Sequence, residues 1–206
     1  RSGAACFTEK GKNITRAIFG EGKKDVKKIG ENAYQHYGIG IHGFDVVSCQ
    51  FALHYFFEND KTLKGFLKNI SECCKKGGYF IGTSYDGKKV FKALEDCKKN
   101  QSISGYSGDH KIWEIIKKYD QKKIENTGLA IDVYQESINA YWREYLVNYD
   151  YLTEVLSEYG FVPADDVDIV PIGNFNVLYD MVDDMDNIGL SKSMTDNEKK
   201  ISFMNK

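Results

Sequence analysis

Apolar positions along this chain change rhythm from one segment to the next, and the changes mark the elements. Residues 44–51 (FDVVSCQF) form a short, mostly apolar run, too continuous for a strand with one wet face, and predict a strand buried on both sides. After residues 52–57 (ALHYFF), the stretch from about Asp60 to Lys76 places Leu63, Leu67, Ile70 and Cys74 on one helical face, with Lys61, Lys64, Lys68 and Lys75 largely opposite. Gly77-Gly78 then stops the helix, and Tyr79-Phe80-Ile81-Gly82-Thr83 reads as a second buried strand. Strand, helix, glycine pair and strand in that order predict a parallel βαβ crossover, and the fold class is α/β.

The flanks are less regular. Residues 8–19 predict a helix opened by a capping Thr8, and residues 24–37 a weaker one with Ile29 and Tyr34 as buried positions; both end in glycine-bearing turns, so residues 1–43 read as an insertion. A helix is expected over 88–97, a mobile polar loop over 100–110 and a short amphipathic helix from Trp113 to Tyr119. Rough alternation from Leu129 to Ile138 predicts a strand with one exposed face. Residues 144–159 predict a helix with Leu146, Tyr149, Leu152 and Leu156 as its buried stripe; an acidic stretch from Asp180 to Asp186 and a helix around Lys199-Lys200 follow. No internal repeat is visible.

Composition narrows this picture. The chain has 206 residues, enough for one domain that buries about 70% of its unfolded surface without staples. Five cysteines, two of them adjacent at Cys73 and Cys74 and none in a CxxC pair, argue against a disulfide framework or a zinc ribbon and for a reducing, intracellular setting. No window approaches about 18 uninterrupted apolar residues, so no membrane span is expected, and no leader pattern opens the chain. The net charge of −2 hides a polarity: residues 1–125 carry 23 basic and 15 acidic side chains, residues 126–206 carry 5 and 15. The lysine pairs of the basic part form a surface that attracts phosphate, or simply solvated helix faces.

Ligands of open parallel sheets sit at the carboxyl ends of strands, which directs attention to Gln50, His54 and Tyr55 after the first strand and Ser84, Tyr85 and Asp86 after the second. Polar groups set among Phe51, Phe56 and Phe57 suit a flat heterocycle, although His54 and Tyr55 could equally be rim residues of the core. No GxxxxGK[ST] loop, GxGxxG after a strand, GxSxG elbow or HExxH is present, so a pocket without a nucleophile or a metal remains.

Three blocks, FDVVSCQFALHYFFEN at 44–59, ISECCKKGGYFIGTSYDG at 70–87 and WREYLVNYDYL at 142–152, resemble the mRNA cap guanine-N7 methyltransferase family, most of all the capping enzymes of large and giant DNA viruses. The resemblance implies an S-adenosylmethionine-dependent methyltransferase (Rossmann-like) fold, a seven-stranded sheet with helices on both faces, and transfer of a methyl group to N7 of the GpppN cap of RNA. That chemistry needs no general base, because N7 has a free lone pair and the donor is a sulfonium, so positioning and electrostatics carry it and no catalytic residue is expected.

The resemblance also implies roles. Glu144 would accept hydrogen bonds from guanine N1–H and the exocyclic amine, a choice adenine cannot match; read without the family, it is a helix N-terminal acid. His54 would donate to guanine O6, and Tyr55 would stand between base and cofactor. Gln50 would line the S-adenosylmethionine pocket. Where cellular members have Thr-x-Pro, this chain has Thr83-Ser84-Tyr85-Asp86-Gly87, with Tyr85 as the substitute stacking residue. The family's glycine-rich cofactor loop belongs upstream of Arg1, so residues 1–206 are expected to be a single partial domain (1–43 insertion-like, 44–206 the cap-binding sheet half) with negligible activity alone. Capped RNA is the expected partner, with other capping-enzyme domains or a stimulatory subunit as further ones and the host cytoplasm as the compartment of a viral protein. The rival expectation is a non-catalytic module that binds RNA or a capping partner.

Overall fold

In the computed structural model of the chain the described residues are 8–164 and 194–205, so the acidic stretch 180–186 lies outside them. Two compact units are formed, Arg1–Ser48 with Gly65–Ile81 and Cys49–Lys64 with Gly82–Lys206.

In the first unit α1 (Glu9–Ile18) starts where expected, with the Thr8 side chain accepting from Gly11 N–H at 3.0 Å. The helix expected over 24–37 is instead two short ones, α2 (Val26–Ile29) and α3 (Glu31–Gln35), because Gly30 between them has φ +82° and cannot continue a helix. Ile29 is buried with Ala17 and Ala33, whereas Tyr34 is exposed.

Strands β1 (Phe44–Gln50) and β2 (Cys74–Thr83) pair, linked by α4 (Asp60–Cys73). They run parallel: Gly43 lies against the backbone of Cys73–Lys75, Gly78 against Phe44 and Asp45, and Phe51 N–H donates to Thr83 O at 2.9 Å, so both chains rise together. Neither strand has a fully buried residue, and Val46 and Ile81 are exposed, so the expected burial on two sides is not found. Among the described residues this sheet has two strands. Leu63, Leu67 and Ile70 of α4 are buried as its spacing predicts. Cys74 is a correction, since it begins β2 rather than ending the helix: a Cβ on Gly78 would lie 2.8 Å from Asp45 O, a close approach that makes the glycine pair part of the strand.

The second unit is built on an antiparallel sheet in the order β3 (Ser102–Ser107), β4 (His110–Lys117), β5 (Ala130–Gln135) and β6 (Ala140–Tyr145). Three expectations are overturned here. The expected loop 100–110 is β3, and the expected helix 113–119 is mostly β4. In β4 the buried residues are Trp113, Ile115 and Lys117, a period of two that pairing on both sides imposes on a β-branched segment. The helix expected from residue 144 begins only at α6 (Tyr149–Glu158), capped by Asn148, which accepts from Tyr151 N–H at 3.3 Å. Glu144 is therefore a strand residue.

The core of this unit packs Trp113, Ile115, Ile131 and Val133 from the sheet against Val90 and Leu94, with Ile201 and Met204 from the C-terminal end. Val90 belongs to α5 (Gly87–Ala93), whose first turn is capped by Asp86. Ile201 belongs to α7 (Asp196–Phe203), opened by a Thr195–Glu198 capping box. Trp113 Nε1–H ties this helix to the sheet by donating to Asn197 O at 2.9 Å.

Candidate functional site

The site begins with a 3-10 turn, Leu53–Glu58, that packs on β6 within the second unit. At three residues per turn, His54 and Phe57 share a side; Phe57 and Leu53 are sealed in the core, and His54 is drawn inward with them while Tyr55 stays 45% exposed. The rings of His54 and Tyr55 meet edge to face, with centroids 4.3 Å apart. On β6 the period of two turns Glu144 to the same face as Trp142.

Packing of turn on strand leaves two buried ionisable groups side by side. His54 Nδ1 lies 3.7 Å from Glu144 Oε2, beyond hydrogen-bond range, and neither ring nitrogen of His54 nor Glu144 Oε2 has a hydrogen-bond partner. Burial pushes the Glu144 carboxyl up to about 7 and the His54 imidazole down to about 4. At neutral pH the imidazole is thus uncharged, with one N–H to give, beside a carboxyl poised between its two forms. Orphaned buried polar atoms of this kind are rare in a settled core, and a ligand that supplied complementary donors and an acceptor would satisfy all of them.

A cavity of about 490 Å³ opens over this pair. Its wall includes Tyr55, Tyr85, Gln135 and Trp142, with Phe51 and Ile138 at more than half exposure and Glu198 and Asn205 from the C-terminal end. Tyr85 is buried, and its hydroxyl, pushed up to about 12 by burial, accepts from Gln135 Nε2 at 3.0 Å. Phe51 sits at φ +49°, a conformation a bulky residue adopts only when its surroundings hold it; the bond from its N–H to Thr83 O does so.

Four of the residues singled out in the sequence, His54, Tyr55, Tyr85 and Glu144, are brought together in this cavity. Gln50 is not among its lining residues; it ends β1 exposed, its Oε1 accepting from Thr83 Oγ1 at 2.8 Å. Asp86 is the α5 cap, and Ser84 is buried against the Tyr149 hydroxyl at 2.8 Å. Sequence reasoning missed Trp142, Ile138, Gln135 and the contribution of α7. Trp142 was within reach, since Ala140 to Tyr145 read as a strand puts it on the Glu144 side.

A family model described as the mRNA (guanine-N(7))-methyltransferase domain matches residues 22–200. The chain belongs to this family. Among guanine-N7 methyltransferase relatives, the probable mRNA-capping enzyme of Acanthamoeba polyphaga mimivirus is 34% identical over 120 residues, 56% of this chain and 10% of that protein. The mRNA cap guanine-N(7) methyltransferase of Aspergillus niger is 52% identical over 57 residues, 28% of this chain and 9% of that protein. The one from Caenorhabditis elegans is 43% identical over 58 residues, 28% and 15% respectively. The chain therefore spans a small part of the length of the curated relatives it matches. A solved S-adenosylmethionine-dependent methyltransferase from Clostridium acetobutylicum overlays 57% of this chain and 47% of its own with a TM-score of 0.38 at 16% identity, a likeness that carries no weight of its own. Within the family match lie all four cavity residues, His54, Tyr55, Tyr85 and Glu144.

Proposed function

We propose that the cavity over His54 and Glu144 holds the terminal guanine of a GpppN-RNA cap and presents its N7 for methylation. The observation that carries this reading is the pair of buried, unpartnered polar side chains, one an acceptor and the other a neutral donor. Guanine offers the complement along one edge: N1–H and the exocyclic amine to donate to Glu144, and O6 to accept from His54. Donation from both base N–H groups favours the ionised carboxylate, so guanine binding draws a proton out of Glu144 and leaves a negative charge facing a base that becomes positive on N7 methylation. Adenine has no matching donors at that edge and leaves the carboxyl unpaired.

The family's methyl donor fits the wall chemistry, since Tyr55 and Phe51 offer exposed aromatic surface that accepts a cationic methyl group. Gln50 at the carboxyl end of β1 is the residue we assign to the adenosine end of that donor. When bound, S-adenosylmethionine supplies an electrophilic methyl on a sulfonium, whose C–S bonding pair stays with sulfur as the N7 lone pair forms the new C–N bond. Everything this chain adds is placement: Glu144 and His54 fix the in-plane orientation of the base, Tyr55 its distance from the donor, and Tyr85 the floor. The capped RNA body is the partner that runs on from this site.

The test is direct binding of GTP and ATP to the 206-residue chain by calorimetry. GTP is expected to bind and ATP to be refused, with Glu144→Gln weakening GTP by on the order of tenfold to a hundredfold as paired donors meet an amide. Equal affinity for the two nucleotides, or an unchanged affinity in Glu144→Gln, would refute the assignment.

A further inference from the structure

Trp142 is an indole on the inner face of a sheet that the core leaves uncovered. It lies on the same side of β6 as buried Glu144 and opposite Val133 of β5, itself 3% exposed, yet Trp142 is 53% exposed. The difference is the cavity, which opens at this point and has Trp142 and Ile138 as its apolar lip. Leaving much of a large aromatic surface in water forfeits burial energy, which a flat ligand laid on the indole would recover.

Its place along the strand indicates which part of a ligand it meets. Residues two apart on a strand are separated by about 7 Å, so a base anchored at its edge by Glu144 on the cavity floor has its own ring one row inward of Trp142. Beyond the guanine, the planar group that can reach the rim is the second base of the cap, carried there as the flexible triphosphate folds back on itself through solvent. Glu136 and Glu198 also line the cavity, which disfavours a phosphate chain resting there and leaves a planar uncharged group as the match for the indole.

We propose that Trp142 is the stacking platform for the base of the first transcribed nucleotide, making the site one that prefers a cap dinucleotide to an isolated guanine nucleotide. The inference rests on the guanine reading above. Stacking on an aromatic face tolerates any base, so the preference is for the presence of a second base rather than for its identity.

The chain has two tryptophans, and the other, Trp113, is buried at 2% exposure, so tryptophan emission isolates the event. Titration of the 206-residue chain with GpppA is expected to quench emission, while GTP, whose binding is followed by calorimetry, leaves it nearly unchanged. Trp142→Ala is expected to lose about tenfold in GpppA affinity with GTP affinity held within about twofold, and Trp142→Phe to recover most of the loss. Trp142→Ala weakening GTP and GpppA equally, or neither, overturns the platform while the guanine reading stands. ATP and ApppA binding as tightly as their guanine counterparts would sink the guanine reading, and GpppA-selective quenching would then still support a base platform at Trp142. If neither GTP nor GpppA binds, both proposals fall.

Discussion

The carboxyl of Glu144 illustrates how a buried, unpartnered ionisable group costs stability. Its folded value of about 7 stands above the ordinary 4.5, so folding favours the protonated form; that contribution is fully present below about pH 4.5 and is lost as pH rises through about 7. His54 runs the other way: its folded value of about 4 lies below the ordinary 6.5, so its contribution is present above pH 6.5 and is lost as pH falls through about 4. Glu144→Gln removes the first loss only. In denaturant titrations the variant should gain roughly 1–3 kcal/mol over the parent at pH 8 and much less near pH 4.5. A gain of the same size at both pH values would mean that the carboxyl is not held neutral by burial. Ligand binding reports the same group from the other side, because the guanine contact proposed for it needs the ionised form. GTP affinity should therefore reach a plateau above about pH 7 and fall about tenfold for each pH unit below it, a dependence absent from Glu144→Gln.

At the scale of elements, β3 and β4 show how one glycine lets a strand carry a tryptophan. A Cβ on Gly105 would lie 2.3 Å from Nε1 of Trp113, its partner across the strands, so no side chain fits there. Trp113 in turn holds α7 through its bond to Asn197 O, and Asn197 Nδ2 donates back to Tyr106 O at 2.7 Å. Gly105→Ala should therefore lower stability by about 1–3 kcal/mol through forced displacement of the indole. Trp113 emission should shift to the red and α7 become open to protease. An unchanged Tm with unchanged emission would show that the sheet absorbs the methyl group without moving Trp113. This was the part of the fold least visible in the sequence. Taken one at a time, the Gly/Ser-rich run 100–110 has the look of a loop and the run from Trp113 to Tyr119 that of a short helix; the antiparallel pairing that makes them strands is a relation between the two segments that neither encodes alone.

For the whole molecule the lysine count overstates the attraction for phosphate. Lys75, Lys88, Lys99 and Lys118 each sit against an aspartate, so part of the basic surface is already neutralised. Lys98 and Lys122 line a second groove of about 610 Å³ that also holds Glu95 and Asp120, beside the stacked rings of Phe91 and Tyr119; the Lys117 ammonium in its wall is buried on the Leu94 and Cys97 carbonyls. A capped RNA of some twenty nucleotides should bind more tightly than GpppA, by a margin that shrinks as salt rises from about 50 to 200 mM. In filter-binding measurements Lys98→Glu with Lys122→Glu should narrow that margin and leave GpppA unaffected. A margin that ignores both salt and the double substitution would rule out a phosphate path over this groove.

The sequence by itself determined the family, because His54-Tyr55 after a strand and Glu144-Tyr145-Leu146 far downstream are local strings that survive without coordinates. It also determined the β1–α4–β2 unit, whose periodicity and terminal glycines lie within about forty residues of one another. Only the tertiary structure decided that Glu144 belongs to a strand, that its carboxyl is buried 3.7 Å from His54 with no hydrogen-bond partner, and that Trp142 beside it is left half uncovered. Those facts depend on which strand pairs with which and on what fails to cover a face. The approach of Glu144 to His54 is a relation between residues ninety positions apart, and what covers a face depends on how whole elements pack, so no local pattern of apolar and polar residues contains either.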